Sequence, residues 1–241
     1  MQRATNLSPL LTTLLASLAQ ADHVPEVVVI GKQQQLLVEI SSLDTPEPDT
    51  SALLRKLPGA NVNSNGPVSG IHQYRGMFGA RVDVNVDGMH ITSGGPNLMD
   101  PPLHYAPAAM LDTLTIYRGA APVSIAQESI GGALVATTDD GDFGDSDDWG
   151  VNGHVLLGGQ SVNQGWTGQG LIAAANDQHK FHASGLVEQA NDARFADGRI
   201  RPSEYQRKRA DLGYSFTGNG HTLDLAYGRT ETGDAGTPAL P

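Results

Sequence analysis

From about residue 148 onward, stretches in which every second side chain is apolar limit the fold more than any other feature of this sequence. Phe181, Ala183, Gly185 and Val187 share one face of such a stretch, and Lys180, His182, Ser184 and Glu188 share the other. Ala210, Leu212, Tyr214 and Phe216 oppose Arg209, Asp211, Gly213 and Ser215. Leu223, Leu225 and Tyr227 oppose Asp224, Ala226 and Gly228. Asn176-Asp177-Gln178 and Thr217-Gly218-Asn219-Gly220 read as short turns, and Asn191 to Arg201 as a longer polar loop. Strands of about ten residues with one apolar face, short turns at one end and long loops at the other fit a membrane β-barrel. A soluble antiparallel sandwich alternates in the same way, so this region alone leaves both architectures open.

The opposite end carries the pattern of an export signal. Arg3 precedes a short apolar stretch, Leu10 to Leu18, and Ala19-Gln20-Ala21 gives the small-x-small form of a cleavage site. The stretch is too short to span a bilayer. An exported chain with no Cys relies on burial and hydrogen bonding instead of disulfides. A net charge of −11 argues against nucleic acid as a partner, because a phosphate-binding surface needs clustered Lys and Arg.

Between the two ends the texture is mixed. Glu26-Val27-Val28-Val29-Ile30-Gly31 is a short β-rich patch, followed by a polar, Pro-containing stretch up to about Asp49. Ser51 to Lys56 predicts a short helix that Pro58-Gly59 ends, and a second helix is expected around Ala108 to Leu111. Arg81 to Asp87 predicts a half-buried strand with Val82, Val84 and Val86 inward and Arg81, Asp83, Asn85 and Asp87 outward, closed by a turn at Gly88. A strand is expected over Thr113 to Tyr117. Asp139 to Asp148, dense in Asp and Gly, reads as a solvated connection. It lacks the Gly and Glu that an EF-hand loop requires for Ca²⁺.

Five motifs in this middle region, in order, resemble the plug of TonB-dependent outer-membrane receptors. Leu53-Leu54-Arg55-Lys56-Leu57-Pro58-Gly59-Ala60-Asn61-Val62 looks like its opening helix and turn, and Tyr74-Arg75-Gly76-Met77 like its Arg-Gly element. Arg81 to Gly88 is similar to its strand ending in Asp87-Gly88. Ile116-Tyr117-Arg118-Gly119-Ala120-Ala121-Pro122 resembles its Val-x-Arg-Gly-Pro segment, and Ser129-Ile130-Gly131-Gly132-Ala133-Leu134 its Ile-Gly-Gly element. The resemblance implies an α+β plug domain followed by antiparallel β-strands of an incomplete transmembrane β-barrel. It implies residues 1–21 as signal peptide, 22–49 as Ton box and linker, 50–138 as plug, 139–147 as connection and 148–241 as N-terminal barrel strands. Glu26, Val27, Val28, Val29 and Ile30 sit where the family keeps its Ton box, which pairs with TonB in the periplasm.

The implied partners are TonB with its inner-membrane energising complex, outer-membrane lipid, and a transported metal ion or metal chelate, with no permanently bound cofactor. The implied location is the cell outer membrane. A plugged barrel takes about 22 strands, whereas residues 148–241 leave room for roughly five. The chain is therefore expected to be a fragment, a truncated product or a split gene.

Met99-Asp100-Pro101-Pro102-Leu103-His104-Tyr105 resembles a stretch of outer-membrane copper receptors in which a Cys four residues before the Met joins it in binding copper. Gly95 occupies that Cys position here, so only Met99 carries over. Met89, His90, Met99 and His104 are the candidate metal residues, since thioether with imidazole suits Cu(I). An iron–siderophore receptor is the alternative cargo reading. A non-transporting periplasmic plug or a β-rich adhesive protein is the alternative of another class. No enzyme is expected, because Cys nucleophile, nucleotide loop and helical His-x-x-x-His spacing are all absent. His179 and His182 fall on opposite faces of a strand.

Overall fold

The computed structural model describes residues 35–39, 47–127 and 129–238. The export signal and the Ton box candidate Glu26–Ile30 lie outside the described residues. The described residues form a plug region and a strand wall, both within one unit, Gln33–Pro241.

Among the described residues the plug holds eight short strands. They are β1 (Gln35–Glu39), β2 (Ala60–Ser64), β3 (Gly70–Tyr74), β4 (Met77–Phe78), β5 (Asp83–Val86), β6 (Met89–His90), β7 (Leu111–Arg118) and β8 (Gly132–Thr138). One sheet has the order β1-β7-β8-β5-β6, and β2-β3-β4 form a second. β5 pairs with β8 in parallel, and the remaining pairs are antiparallel. Leu53, Leu54, Val62, Tyr74, Val82, Val84, Val86, Leu114, Ile116 and Leu134 belong to the plug's core cluster.

The expected helices are both 3-10 turns, Thr50–Lys56 and Ala108–Met110, with Leu111 already in β7. Asp49 caps the first, its Oδ1 accepting from the Ser51 N–H at 3.1 Å. The strand expected over Arg81 to Asp87 is confined to Asp83–Val86, because Gly79–Arg81 is a further 3-10 turn. Its outward face is also not wholly exposed. Asn85 is buried, since β8 and β6 flank the strand, and its Oδ1 accepts from the Gly88 N–H. The polar stretch before Asp49 supplies β1, which pairs with β7 from Gln35↔Tyr117 to Glu39↔Thr113.

The wall is one antiparallel sheet of order β15-β14-β11-β10-β9. It comprises β9 (Gly150–Gln160), β10 (Gly165–Ala175), β11 (His179–Ala190), β14 (Tyr205–Gly218) and β15 (His221–Gly233). The long loop between β11 and β14 carries a small hairpin, β12 (Arg194–Phe195) with β13 (Gly198–Arg199). β9 and β15 are edges, so the described residues do not close a barrel. No helix among them is long and apolar enough to cross a membrane.

The wall buries the wrong face for a sandwich. Val155, Leu157, Ile172, Phe181, Leu212, Leu225 and Tyr227 are exposed, Leu157 by 80%. Thr167, Gln169, Lys180, Ser184, Glu188, Arg207, Asp211 and Ser215, on the other face, are buried. A sandwich in water would bury the apolar set, whereas a lipid-facing wall around a polar interior exposes it. Trp149, Phe181 and Tyr214 stack near the short-turn end, with Phe181 and Tyr214 centroids 4.7 Å apart. Aromatic residues collect in this way at a membrane interface.

The acidic connection is less solvated than its composition implied. Lys180 of β11 is 5% exposed and meets Asp140 at 2.7 Å, donates to the Gly141 carbonyl at 2.8 Å and lies over the Phe143 ring. The Gly144 N–H and the Asn176 carbonyl add a bond to the β10–β11 turn.

Candidate functional site

The plug motifs are mostly tight turns: Asp87-Gly88 is a pair such turns favour, whereas Arg75 takes positive φ without that preference and only its Gly76 is the expected residue. Arg75-Gly76 joins β3 to β4 with φ of 49° and 77°, and Asp87-Gly88 joins β5 to β6 with φ of 49° and 83°. Positive φ at both central residues is the type I′ hairpin, which favours Asp-Gly. Asp87 then reaches back to accept from the Thr138 N–H and Oγ1, both at 2.7 Å, tying this turn to β8. Arg118 ends β7, and Gly119 follows at φ 70°. At Gly131 an added Cβ would sit 2.6 Å from the Arg81 carbonyl oxygen. At Gly132, with φ 118°, it would overlap that of Tyr117. The Gly-Gly element therefore lets β8 enter between β5 and β7.

Plug and wall meet through side chains that sequence reasoning placed on the polar face or passed over. Arg207 is 1% exposed and Glu188 0%, and they are direct partners across β11 and β14. Glu188 Oε2 accepts from Arg207 Nε at 2.9 Å and from Nη2 at 2.5 Å. Arg207 then donates to two plug carbonyls, Pro48 at 2.8 Å and His104 at 3.3 Å. Arg209, paired with Asp211 at 2.7 Å, donates to the Tyr105 carbonyl. Val68 of the plug packs on Ala190 and Tyr205. The alternation put Glu188 and Arg209 on a polar face, but only the strand register brings Arg207 opposite Glu188. Beside this contact, burial pushes the Asp49 carboxyl up to about 6 and raises Glu47 as well.

The four candidate metal residues fall in separate surroundings. Met99 borders a cavity of about 670 Å³ with Asn63, Asn65, Gln73, Phe78 and Asn97. Met89 borders another, with Asp87, Tyr105 and Arg209. His90 lines a third with His72 and Asp83, and its Nδ1 lies 2.8 Å from Asp83 Oδ2. His104 is committed at both nitrogens. The Val68 carbonyl, 3.0 Å away, can only accept, so Nδ1 carries the proton. Nε2 then accepts from Thr232 Oγ1 at 3.0 Å. Burial holds the His104 ring below its usual range, which keeps it neutral. Among the described residues no group of three or more His, Asp or Glu could hold a metal ion. Gly95, where the copper-receptor pattern has Cys, adopts φ 71°, a backbone that a Cys would take only with strain.

The Met99 cavity is built by the second plug sheet. Asn63 and Ile71 pair across β2 and β3, and Gln73 pairs with Phe78 across β3 and β4. The facing loop is closed by Gly94 and Asp100, which bond backbone to backbone at 2.8 and 3.1 Å, and the Tyr105 hydroxyl donates to Asp100 at 2.7 Å. The cavity therefore offers side-chain amides, an aromatic ring and a thioether beside the apolar Ile71, Leu98 and Pro238. Such a lining suits a ligand with many hydrogen-bonding groups more than a bare cation.

Residues 40–133 match the family model of the TonB-dependent receptor plug domain. No curated protein matches the chain by sequence. Solved structures with a similar fold include the copper transporter OprC, at 23% identity and a TM-score of 0.71 over 82% of this chain and 30% of that one. The FrpB iron transporter from Neisseria meningitidis is similar at 18% identity and a TM-score of 0.63, over 84% of this chain and 32% of that one. The ferric enterobactin receptor PfeA is similar at 15% identity and a TM-score of 0.60, over 83% and 33%. The chain thus spans about a third of the length of these structures.

Proposed function

We propose, for a chain that is a TonB-dependent receptor plug over residues 40–133 with antiparallel wall strands behind it, that the intact protein is an outer-membrane transporter driven through TonB. The observation that carries this reading is the inverted wall, with its apolar face outward and its polar face packed on the plug. A wide barrel needs such a filling to keep the membrane sealed. Glu26–Ile30 would then add as a strand to a partner's sheet edge, a contact made by main-chain hydrogen bonds.

The cargo on this reading is a scarce metal held in a chelate. The amide lining around Met99 favours that over a bare ion, and His104 gives its lone pair to Thr232. Copper remains the competing cargo through Met99, whose segment resembles that of copper receptors. The experiment is uptake of ferric chelates and of copper by cells carrying the intact receptor, with and without TonB. Ferric-chelate uptake that stops without TonB and falls several-fold with Gln73→Leu supports the reading. TonB-dependent copper uptake lost with Met99→Ala transfers the cargo to copper, and uptake indifferent to TonB sinks the transport proposal altogether.

A further inference from the structure

Arg207 is a costly residue to place where it is. A guanidinium and a carboxylate taken out of water lose hydration that their mutual attraction offsets only with well-made hydrogen bonds, and an apolar pair of like volume packs as well. What the pair supplies instead is direction. Glu188 neutralises the guanidinium from the neighbouring strand, and Thr167 donates to Glu188 Oε1 at 3.4 Å. The remaining donors point at the Pro48 and His104 carbonyls, two places far apart in the plug sequence. These places are also tied to each other, since Thr50 Oγ1 donates to the Ala106 carbonyl at 2.5 Å. Among the described residues, Pro48 is the most N-terminal plug group that a wall side chain bonds.

That position gives the contact a mechanical meaning. Asp49 caps the 3-10 turn Thr50–Lys56 directly after Pro48, and Leu53 and Leu54 of that turn enter the plug core. Chain before Pro48 includes β1, an edge strand held by one neighbour. Chain directly after it, from Asp49 to Leu54, is buried. We propose that Arg207, held by Glu188, is a latch that divides the segment a pull can draw out from the plug body that must stay. The proposal rests on the reading that TonB pulls at the N-terminal segment. Once β1 detaches, the chain over 40–48 can extend to roughly 30 Å before tension reaches Arg207.

The test is single-molecule pulling on the N-terminus of the intact receptor in a bilayer, with hydrogen exchange alongside. Removing one partner leaves a buried charge unpaired, so the informative variant is Arg207→Met with Glu188→Gln. Wild-type protein should show a force peak after β1, at the contour length that ends on Pro48. The double variant should lose that peak, and amides of residues 50–57 should exchange at least about tenfold faster, with β7 and β8 unchanged. Arg207→Lys, which can reach one carbonyl, should restore a weaker peak. A heat-modifiable band on gels confirms that the barrel is folded in each variant. An unchanged peak with unchanged exchange in the double variant overturns the latch and leaves Arg207 as packing. A latch peak present in a receptor whose uptake ignores TonB would instead sink the transport reading and keep the tie.

Discussion

Val82, Val84 and Val86 of the plug turn their apolar face to a core, whereas Leu157, Leu212 and Tyr227 of the wall turn theirs outward and send Glu188 and Arg207 inside. Both regions alternate, and both are stretches of β-strand. The difference lies in what each face meets. Plug strands lie against other plug elements and must bury carbon to gain stability. Wall strands pack on the plug on one side, through Glu188 and Arg207 as well as Leu186 against Met110, so on the proposed reading the carbon of the other side is free to meet lipid. Alternation reports that two faces differ, and the packing partner decides which of them is inside.

The contrast can be broken by substitution. Leu54→Ala in the plug core should cost about 2–5 kcal/mol, read as faster exchange of β7 and β8 amides. The same change at Leu157 should cost only about a few tenths of a kcal/mol in a bilayer. Equal losses at both sites would place Leu157 in a protein core. Leu157→Arg should cost about 2–4 kcal/mol if the site is near mid-membrane, seen as a lower denaturant midpoint in vesicles. In a soluble sheet this exposed change would be nearly silent.

Acid should act on the plug and separate two opposed groups. Burial holds the His72 ring at about 4, with the Val82 backbone opposing, against an ordinary value of 6.5. Neutral His72 therefore favours the fold above pH 6.5, and that preference is lost as pH falls from 6.5 towards 4. Asp49 runs the other way. Its carboxyl is raised from 3.8 to about 6, so its ionised form weakens the fold at neutral pH and relief comes as pH falls through 6. Each shift corresponds to about 3 kcal/mol at most, and the two nearly cancel. Denaturation of the plug at pH 7 and pH 5 should therefore differ little in wild type. His72→Leu should leave a plug that gains stability on acidification, and Asp49→Asn one that loses it. The same direction in both variants would remove these residues from the account.

The smallest effect is expected at the exposed pair Arg229 and Glu231 on the edge strand β15, 2.5 Å apart and more than half exposed. Replacing both with Gln should change stability by less than about 1 kcal/mol, because exposed pairs are screened.

The turns were the most legible part of the fold. Asp87-Gly88 announces a tight hairpin because few residue pairs accept positive φ in succession. The short turns and long loop of the wall were readable for the same reason. Element types near Ser51 and Ala108 were harder, since a run of three to seven residues makes a 3-10 turn as readily as one turn of α-helix. β1 was missed because Gln35–Glu39 draws its strand character from pairing with β7, more than 70 residues away. Lys180 looked like one more polar residue of a strand, and nothing local showed that it would clip the acidic connection. The candidate site divided similarly. Met99 was identified by its segment, while the amides around it come from β2, β3 and the loop at Asn97. Met89, His90, Met99 and His104 are close in sequence, yet hairpin and loop send them to different surroundings.

The measurement that tests the inverted wall most directly uses the absence of Cys from residues 1–241, with any Cys elsewhere in the intact receptor replaced by Ser. Single substitutions Leu157→Cys, Ile172→Cys, Leu212→Cys and Leu225→Cys, and Thr167→Cys, Ser184→Cys and Ser215→Cys, would be made in the intact receptor in native outer membranes. Each would carry a nitroxide label whose collisions with oxygen and with a water-soluble nickel chelate are compared. The first group should favour oxygen, as lipid-facing labels do, and the second should be shielded from both. Labels at Leu157 and Leu212 that collide freely with the nickel chelate, or are shielded like the second group, would contradict the wall and with it the outer-membrane reading.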